Sequence, residues 1–422
     1  MYQYKDITQL QIEITENCNS ACPACPRNFW GYGRRPGLSN KNMSSEEFKF
    51  LFPPHFIKQL QVIGFCGMYG DAPLNRDLIK MLEYIYDTDS STSVTVSTNG
   101  SYYDKSYWKE FAKFGNNLQL IFAIDGATQE THSIYRRNTN LDKILENAKA
   151  FIDAGGNAEL QFILFKHNQH QIEDIKKISR DYGFKSLFIR QSSRHGNMEV
   201  YDSTGSFVGI IKDSDISSYY DEERSIGDSA LIKKYNDEKH NNEINKNSID
   251  EDYHIFSLED FKGYKNYEKN QIEKMLNGEE IELLKNISDN ENHYFKNNRK
   301  INCESLDLGK TEHKRIKLYS TSDGYIYPCC YMGHNHTRIT NQFTIELRLL
   351  LKKFNFEMDA NNGLKHGVEE IFNSGFFNLI ENTWIPGTKE NNYIKEINKS
   401  YGTENGNLDI CSTSCSKCDY NA

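Results

Sequence analysis

The chain has no run approaching the ~20 consecutive apolar residues that a membrane-spanning helix needs. Its opening stretch, MYQYKDITQLQIEIT, lacks the basic and apolar regions of a secretory signal, so none is expected. Basic residues are not in excess: 50 Lys and Arg stand against 59 Asp and Glu, a formal charge of −9. That balance gives no bulk phosphate-binding surface, so no nucleic-acid partner is indicated. Proline is scarce, with eight residues and none between positions 74 and 327. No internal repeat or low-complexity tract occurs. These absences point to a globular, cytoplasmic protein with no membrane partner.

What is present sets the class. The 422 residues predict two to three domains of ~150 residues each. Hydrophobic residues make up 37%, which is lean but enough for a core at this length. Ten cysteines sit at 18, 22, 25, 66, 303, 329, 330, 411, 415 and 418. In a chain of this size with no secretory signal, clustered cysteines point to metal rather than to disulfides.

Short apolar runs alternate with helical patterns through the first half. Strands are expected at 9–15, 60–65, 92–98, 118–124, 158–165 and 185–190. Helices are expected from Ser44, whose spacing to Glu47 is that of a capping box, and at 76–87, 105–114, 141–154 and 170–182. Gly155-Gly156 and Gly183 close the last two. Repeated βα units argue for a parallel sheet with helices outside it. Six of them suit an α/β fold of the partial (β/α)6 barrel type. In such folds chemistry sits at the carboxyl ends of strands. Residues 212–300 differ: 21 acidic and 14 basic residues make them about 39% charged. They read as a solvated, partly helical insertion, or as a platform for a substrate or partner.

The first strand is followed by Cys18-Asn19-Ser20-Ala21-Cys22-Pro23-Ala24-Cys25, a C-x3-C-x2-C spacing. Three thiolates on one loop can hold three irons of a cubane cluster, whereas ordinary [4Fe–4S] clusters take four cysteines. One iron is then left open for an exchangeable ligand. A zinc site would want a fourth ligand near by, and the loop offers none.

This loop, set directly after the first strand of a βα series, resembles the signature of the radical S-adenosylmethionine (SAM) superfamily. The family usually carries an aromatic residue where this chain has Ala24. Later strand ends are similar to family elements as well. Gly67-Met68-Tyr69-Gly70-Asp71-Ala72-Pro73 resembles the element that contacts the SAM amino group, with Asp71 where Glu is usual. An ammonium needs a carboxylate or carbonyl acceptor, and Asp can serve with a shorter reach. Read without the resemblance, the same stretch is a glycine-rich turn. Ser97-Thr98-Asn99-Gly100 resembles the ribose-contact strand, which implies cofactor contacts from Ser97 and Asn99. After the fourth strand come Asp125-Gly126-Ala127 and then Tyr135-Arg136-Arg137. The resemblance implies that one of Arg136 and Arg137 holds the SAM carboxylate; otherwise they are surface helix residues. The next strand, Gln161-Phe162-Ile163-Leu164, is expected to pack against the adenine. The resemblance covers roughly residues 8–195.

Near the other end, Cys303 precedes Ser322-Asp323-Gly324-Tyr325-Ile326-Tyr327-Pro328-Cys329-Cys330. Asp-Gly flanked by Tyr, Ile and Tyr is a hairpin signal. The chain then carries Cys411, Cys415 and Cys418. This set resembles a SPASM/twitch auxiliary-cluster domain, which implies one auxiliary [4Fe–4S] cluster on four of Cys303, Cys329, Cys411, Cys415 and Cys418. The terminal triad could instead hold a second open-site cluster, or the region could bind zinc. Cys330 points away from Cys329 on a strand and reads as a core thiol or as a hydrogen-atom donor to a substrate radical. Cys66 reads as packing, and His334 and His336 as loop surface. The expected domains are a radical SAM partial barrel at 1–200, the charged insertion at 201–300 and the auxiliary-cluster domain at 301–422.

The resemblance implies an enzyme. A reduced cluster on Cys18, Cys22 and Cys25 would bind SAM at its open iron and cleave it to methionine and a 5′-deoxyadenosyl radical. That radical would remove a hydrogen atom from a substrate. The electron would come from a donor such as flavodoxin or ferredoxin. The substrate is expected to be a ribosomally made peptide, or a small sugar or alcohol that is dehydrogenated or epimerised. The chain begins at its first strand, so a peptide substrate would call for a separate leader-peptide-binding protein or for the charged insertion. RNA modification is a further alternative, and a non-catalytic iron–sulfur or zinc scaffold is another.

Overall fold

The computed structural model describes residues 3–34, 38, 40–192, 198–215, 219–220, 316–328, 332, 342–383 and 385–399. Cys303, Cys329, Cys330, Cys411, Cys415, Cys418, His334 and His336 lie outside these residues, as does nearly all of the charged segment. Among the described residues no helix is long and apolar enough to cross a membrane.

In chain order the strands are β1 (Ile7–Ile12), β2 (Asn28–Phe29), β3 (Gly33–Arg34), β4 (Val62–Phe65), β5 (Ser93–Thr98), β6 (Leu118–Ala123), β7 (Asn157–Leu164), β8 (Ser186–Gln191), β9 (Met198–Tyr201), β10 (Phe207–Ile211), β11 (Tyr219–Tyr220), β12 (Ile316–Ser320) and β13 (Ile326–Tyr327). The helices that matter here are α1 (Ser45–Leu51), α2 (Pro54–Ile57), α3 (Leu78–Thr88), α4 (Lys105–Glu110), α5 (Gln129–Tyr135), α6 (Leu141–Asp153) and α7 (Ile172–Tyr182). All six strands expected from the first 190 residues form, as β1 and β4 to β8. The class is α/β with mostly parallel pairing, as in a partial barrel.

The chain divides into two compact units. One comprises Met1–Ile14, Pro36–Ile63 and Tyr264–Ala422. Within it β1 pairs in parallel with β12, and β12 turns back onto β13. The turn contains Gly324 at φ +85°, which confirms the Asp-Gly hairpin signal. Helix α1 starts where the sequence places it: Ser44 accepts from the Glu47 N–H at 3.1 Å and Glu47 accepts from the Ser44 N–H at 2.7 Å. Phe48, Phe52 and Phe56 stack along the buried side of α1 and α2. Residues 342–399 are helical in large part.

The other unit comprises Thr15–Arg35 and Gly64–Gly263. Strands β5, β6, β7 and β8 form a parallel ladder, and β11 adds to β8 antiparallel. Alternate side chains make the core: Val94, Val96, Leu118, Leu120, Phe122, Ala158, Leu160, Phe162, Leu187 and Ile189 are buried. Helices α3, α6 and α7 add Leu82, Ile144, Phe151 and Ile175. Trp108 and Phe151 pack on Phe122, and each such aromatic contributes roughly 1.5–3 kcal/mol by burial. The opposite face of the ladder carries Ser97, Gln119, Glu159, Gln161 and Ser186 together with Ile121 and Phe188, all half-buried. A parallel strand buried on both faces reads as continuous apolar sequence. These strands alternate because their second face is only half-buried and mixes polar with apolar residues. The ladder's carboxyl ends carry the motifs singled out above.

Candidate cysteine-cluster site

The cysteine loop lies in the second unit and is knotted by its own backbone. The Cys25 N–H donates to the Cys22 carbonyl at 3.1 Å, and the Asn28 N–H donates to the Cys25 carbonyl at 2.9 Å. The Asn28 amide also donates to the Cys22 carbonyl at 3.2 Å. From outside the loop, the Arg137 carbonyl accepts from the Ala21 N–H at 3.0 Å and from the Ser20 hydroxyl at 3.1 Å. Cys22 is buried, Cys18 and Cys25 are partly exposed, and all three are free thiols.

Polar donors face two of the sulfurs. The Ser20 N–H donates to Cys18 Sγ at 3.4 Å, and Ser20 Oγ lies 2.9 Å from Cys22 Sγ. The Asn99 amide reaches Cys18 Sγ at 3.7 Å, and Arg136 Nη1 reaches Cys22 Sγ at 3.9 Å. The Cys25 thiol donates to the Met68 carbonyl at 3.4 Å. Burial and the Asp71 carboxylate, then the neighbouring Cys22 and Cys25, push the Cys18 thiol well up. A lone thiolate is therefore disfavoured there, and a cationic centre would relieve it.

Gly70 and Asp71 fasten the end of β4 to this loop. A Cβ on Gly70 would sit 2.0 Å from the Thr15 carbonyl oxygen, so only glycine allows the approach. The Asp71 N–H donates to the Asn17 carbonyl at 2.8 Å. The Asp71 carboxyl is buried and accepts from the Thr98 hydroxyl at 3.2 Å and from the Asn99 N–H at 3.3 Å. Burial raises it to about 6, against these hydrogen bonds and Arg136. Ser97 is half-buried on the same strand. The Asn99 side chain spans to the loop, donating to the Asn19 side-chain amide oxygen at 2.9 Å and accepting from the Ser101 hydroxyl at 2.8 Å.

Asp125 has no exposed surface. Its carboxylate accepts from Arg136 Nε at 2.5 Å and from the Ile163 N–H at 2.6 Å. Burial opposes the charge on Arg136, but Asp125, Cys22 and Tyr135 outweigh it and hold the guanidinium protonated. Arg137 turns elsewhere and donates to the Tyr201 carbonyl. The two adjacent arginines thus do different things: one joins the Asp125 side of the site and the other ties down β9. Ile163 is 7% exposed and packs with Cys22, Tyr135 and Phe165.

The sequence reading missed His132, Ser20 and Met198. His132 Nδ1 accepts from the Asp125 N–H at 3.2 Å, so Nε2 carries the proton toward Thr139 Oγ1 at 3.0 Å. Burial lowers His132 to about 4, despite Asp125. Met198, Ala24 and Cys25 each pack against the apolar cluster that holds Cys22. None of these residues carries a motif. The expected boundary after residue 200 falls inside the β9–β10 pair.

Residues 12–179 match the family model of the Radical SAM superfamily. The matched segment, about two fifths of the chain, is similar to a radical SAM superfamily domain, a family that implies a [4Fe–4S] cluster and SAM. No curated protein matches in a sequence search. Among solved structures, the chain is similar to SuiB of Streptococcus suis bound to S-adenosylmethionine, at 14% identity and a TM-score of 0.44, over 78% of this chain and 61% of that one. It is also similar to anSMEcpe with bound AdoMet, at 14% identity and a TM-score of 0.40, over 94% of this chain and 98% of that one. TYW1 with a lysine-pyruvate adduct bound matches at 11% identity and a TM-score of 0.32, over 44% of this chain and 64% of that one. The chain thus spans about three fifths of the SuiB chain's length.

Proposed function

We propose that the chain is a radical SAM oxidoreductase in which Cys18, Cys22 and Cys25 hold a [4Fe–4S] cluster with one iron left open. One observation carries this reading. Three free thiols share one loop, and the Ser20, Asn99 and Arg136 donors lie against two of their sulfurs. Donors aimed at sulfur suit thiolates, and thiolates are the ligating form. When bound, the cluster supplies the electron that splits SAM into methionine and a 5′-deoxyadenosyl radical, which takes a hydrogen atom from the substrate.

The chain's own residues orient and shield. Asp125 fixes Arg136 beside Cys22, where its remaining guanidinium donors can take the SAM carboxylate. Asp71 and Gly70 hold the β4 end against the loop, where a buried carboxylate can accept from the SAM ammonium. Asn99 and Ser97 sit at the end of β5 for the ribose. Half-buried polar groups on the second face of the ladder, Gln119, Glu159 and Gln161 among them, support a polar substrate, either a peptide or a sugar-like alcohol. The auxiliary cluster on Cys303, Cys329, Cys411, Cys415 and Cys418, the flavodoxin or ferredoxin donor, and a leader-binding partner belong to the same proposal.

The test is 5′-deoxyadenosine formation from SAM by anaerobically reconstituted, reduced protein. The wild type should form it and the Cys18→Ala/Cys22→Ala/Cys25→Ala variant should not, while the variant keeps the auxiliary iron. Cleavage retained in the variant would overturn the ligand assignment. Intact cluster spectra without cleavage in either would favour a cluster-bearing scaffold. Transfer of label from a co-expressed peptide, or from a carbinol carbon, into deoxyadenosine would separate the two substrate classes.

A further inference from the structure

The cysteine loop has two unlike sides. Cys18 faces the Asn99 side-chain amide and the Ser20 backbone N–H. Cys22 belongs to a buried apolar cluster with Tyr135, Ile163, Phe165, Val200 and Ile211, and Ala24, Cys25 and Met198 pack against that cluster. Three of these residues, Met198, Val200 and Ile211, come from β9 and β10, which the βα pattern does not include.

That strand pair is fixed to the loop by its backbone. The Tyr201 N–H donates to the Trp30 carbonyl at 2.9 Å, and Arg137 donates to the Tyr201 carbonyl. Arg137 also offers its own carbonyl to Ala21 and Ser20, so one residue grips both the loop and the strand pair. Gly31 lies in the seam at φ +90°, and a Cβ there would stand 2.9 Å from Arg137 Nη1 and 3.0 Å from the Tyr201 oxygen. The far end is pinned as well, with the Lys166 N–H donating to the Lys212 carbonyl at 2.9 Å. The turn is stiffened by Asp202, which accepts from the Thr204 and Ser206 N–H groups at 2.8 and 3.0 Å. A ribbon held this way is a wall.

We propose that the β9–β10 pair is a working part of the cysteine site, with Met198 and the Arg137–Tyr201 clamp as positioning residues that close the Cys22–Cys25 side to solvent. The shielding of Cys22, and of the part of Cys25 that packs on its cluster, stands on the packing alone. Its consequence, a dry and oxygen-protected flank for a cluster, rests on the reading given above. Burial is among the factors that set a cluster's potential and its exposure to oxidants.

The first test uses the full chain, reduced and free of iron. Cysteine alkylation by N-ethylmaleimide is followed residue by residue by peptide mass spectrometry. Met198→Ala and Arg137→Gln should raise the rate at Cys25 and Cys22 about tenfold, the scale of losing one charge-assisted contact or its packing. Cys18 should keep its wild-type rate, and Met198→Leu should restore protection at Cys25. Equal acceleration at all three cysteines would signal general loosening and overturn the proposal, as would no change at any. The second test bleaches the visible absorbance of reconstituted protein in air. Faster bleaching in Met198→Ala than in Met198→Leu supports the shield, and identical decay overturns it. A wild type that takes up no cluster would sink the cluster reading while leaving the alkylation result to judge the wall.

Discussion

Ser20 Oγ lies 2.9 Å from Cys22 Sγ and 3.1 Å from the Arg137 carbonyl, so its single proton has two acceptors to choose between. The Arg137 carbonyl already accepts from the Ala21 N–H. A thiolate at Cys22 has no proton of its own to give. Ligation by Cys22 would therefore turn the hydroxyl toward sulfur at little cost to Arg137.

Ser20→Ala tests that switch. Hydrogen bonds to cluster sulfurs raise the reduction potential. The variant should load iron and show a lower potential by redox-titrated electron paramagnetic resonance. The stability loss should be about 1 kcal/mol, the net worth of one such hydrogen bond. An unchanged potential would place the hydroxyl proton on Arg137 in the loaded state.

The Asp125–Arg136 pair makes a larger prediction. Asp125 is fully buried and the Arg136 side chain is 15% exposed. Removing the arginine leaves a buried carboxylate facing only the Ile163 N–H. Arg136→Ala should cost roughly 3–5 kcal/mol, measured by urea unfolding. Asp125→Asn should cost less than Arg136→Ala, because the amide keeps an acceptor for Ile163 and Arg136 can turn toward Cys22. Equal losses would mean that the pair is not the main contact of either residue.

Much of this was readable in the chain. The six strands, the Ser44 capping box and the Gly183 terminus follow from local periodicity and turn chemistry, which act over a few residues. The cysteine loop was legible because its spacing is local too. The rest depends on residues far apart in sequence. Arg137 reads as one of two adjacent arginines, and only the fold shows that it serves Tyr201, 64 positions away. His132 reads as an ordinary helix residue, and its role appears only once Asp125 and Thr139 close on its two nitrogens. The β9–β10 pair breaks the βα rhythm, so periodicity offered no reason to bring Met198 to the apolar cluster around Cys22.

Glycine substitutions separate the two kinds of information. Gly70→Ala should force the Thr15 backbone away and loosen the Asp71–Asn17 tie. Overpacking costs typically ~1–3 kcal/mol, and a contact with rigid backbone falls at the upper end or above. Iron loading should fall with stability. Gly33→Ala meets no atom within 4 Å and should stay within about 0.5 kcal/mol of wild type. A tolerated Gly70→Ala would show that the β4 end is free to shift.

The buried titratable groups pull stability in opposite directions over one pH window. Asp71 stands at about 6 in the folded chain against an ordinary value of 3.8, so the folded state binds the extra proton and stability falls as pH rises from about 4 to 6. His132 and His167 stand at about 4 against 6.5, so the unfolded state binds more protons and stability rises from about pH 4 to 6.5. Each shift is worth about 3 kcal/mol at full effect, and the half-open His167 delivers less. With two imidazoles against one carboxyl, the iron-free wild type should gain stability as pH rises through this window. Asp71→Asn removes the opposing group and should steepen the rise. His132→Gln removes a supporting one and should flatten it. Urea unfolding of the three iron-free proteins at pH 4.5, 5.5 and 7 would give the order of slopes. A steeper curve for His132→Gln than for Asp71→Asn would mean that His132 is not held neutral, and with it the proton assignment that joins Asp125 to Thr139 would fall.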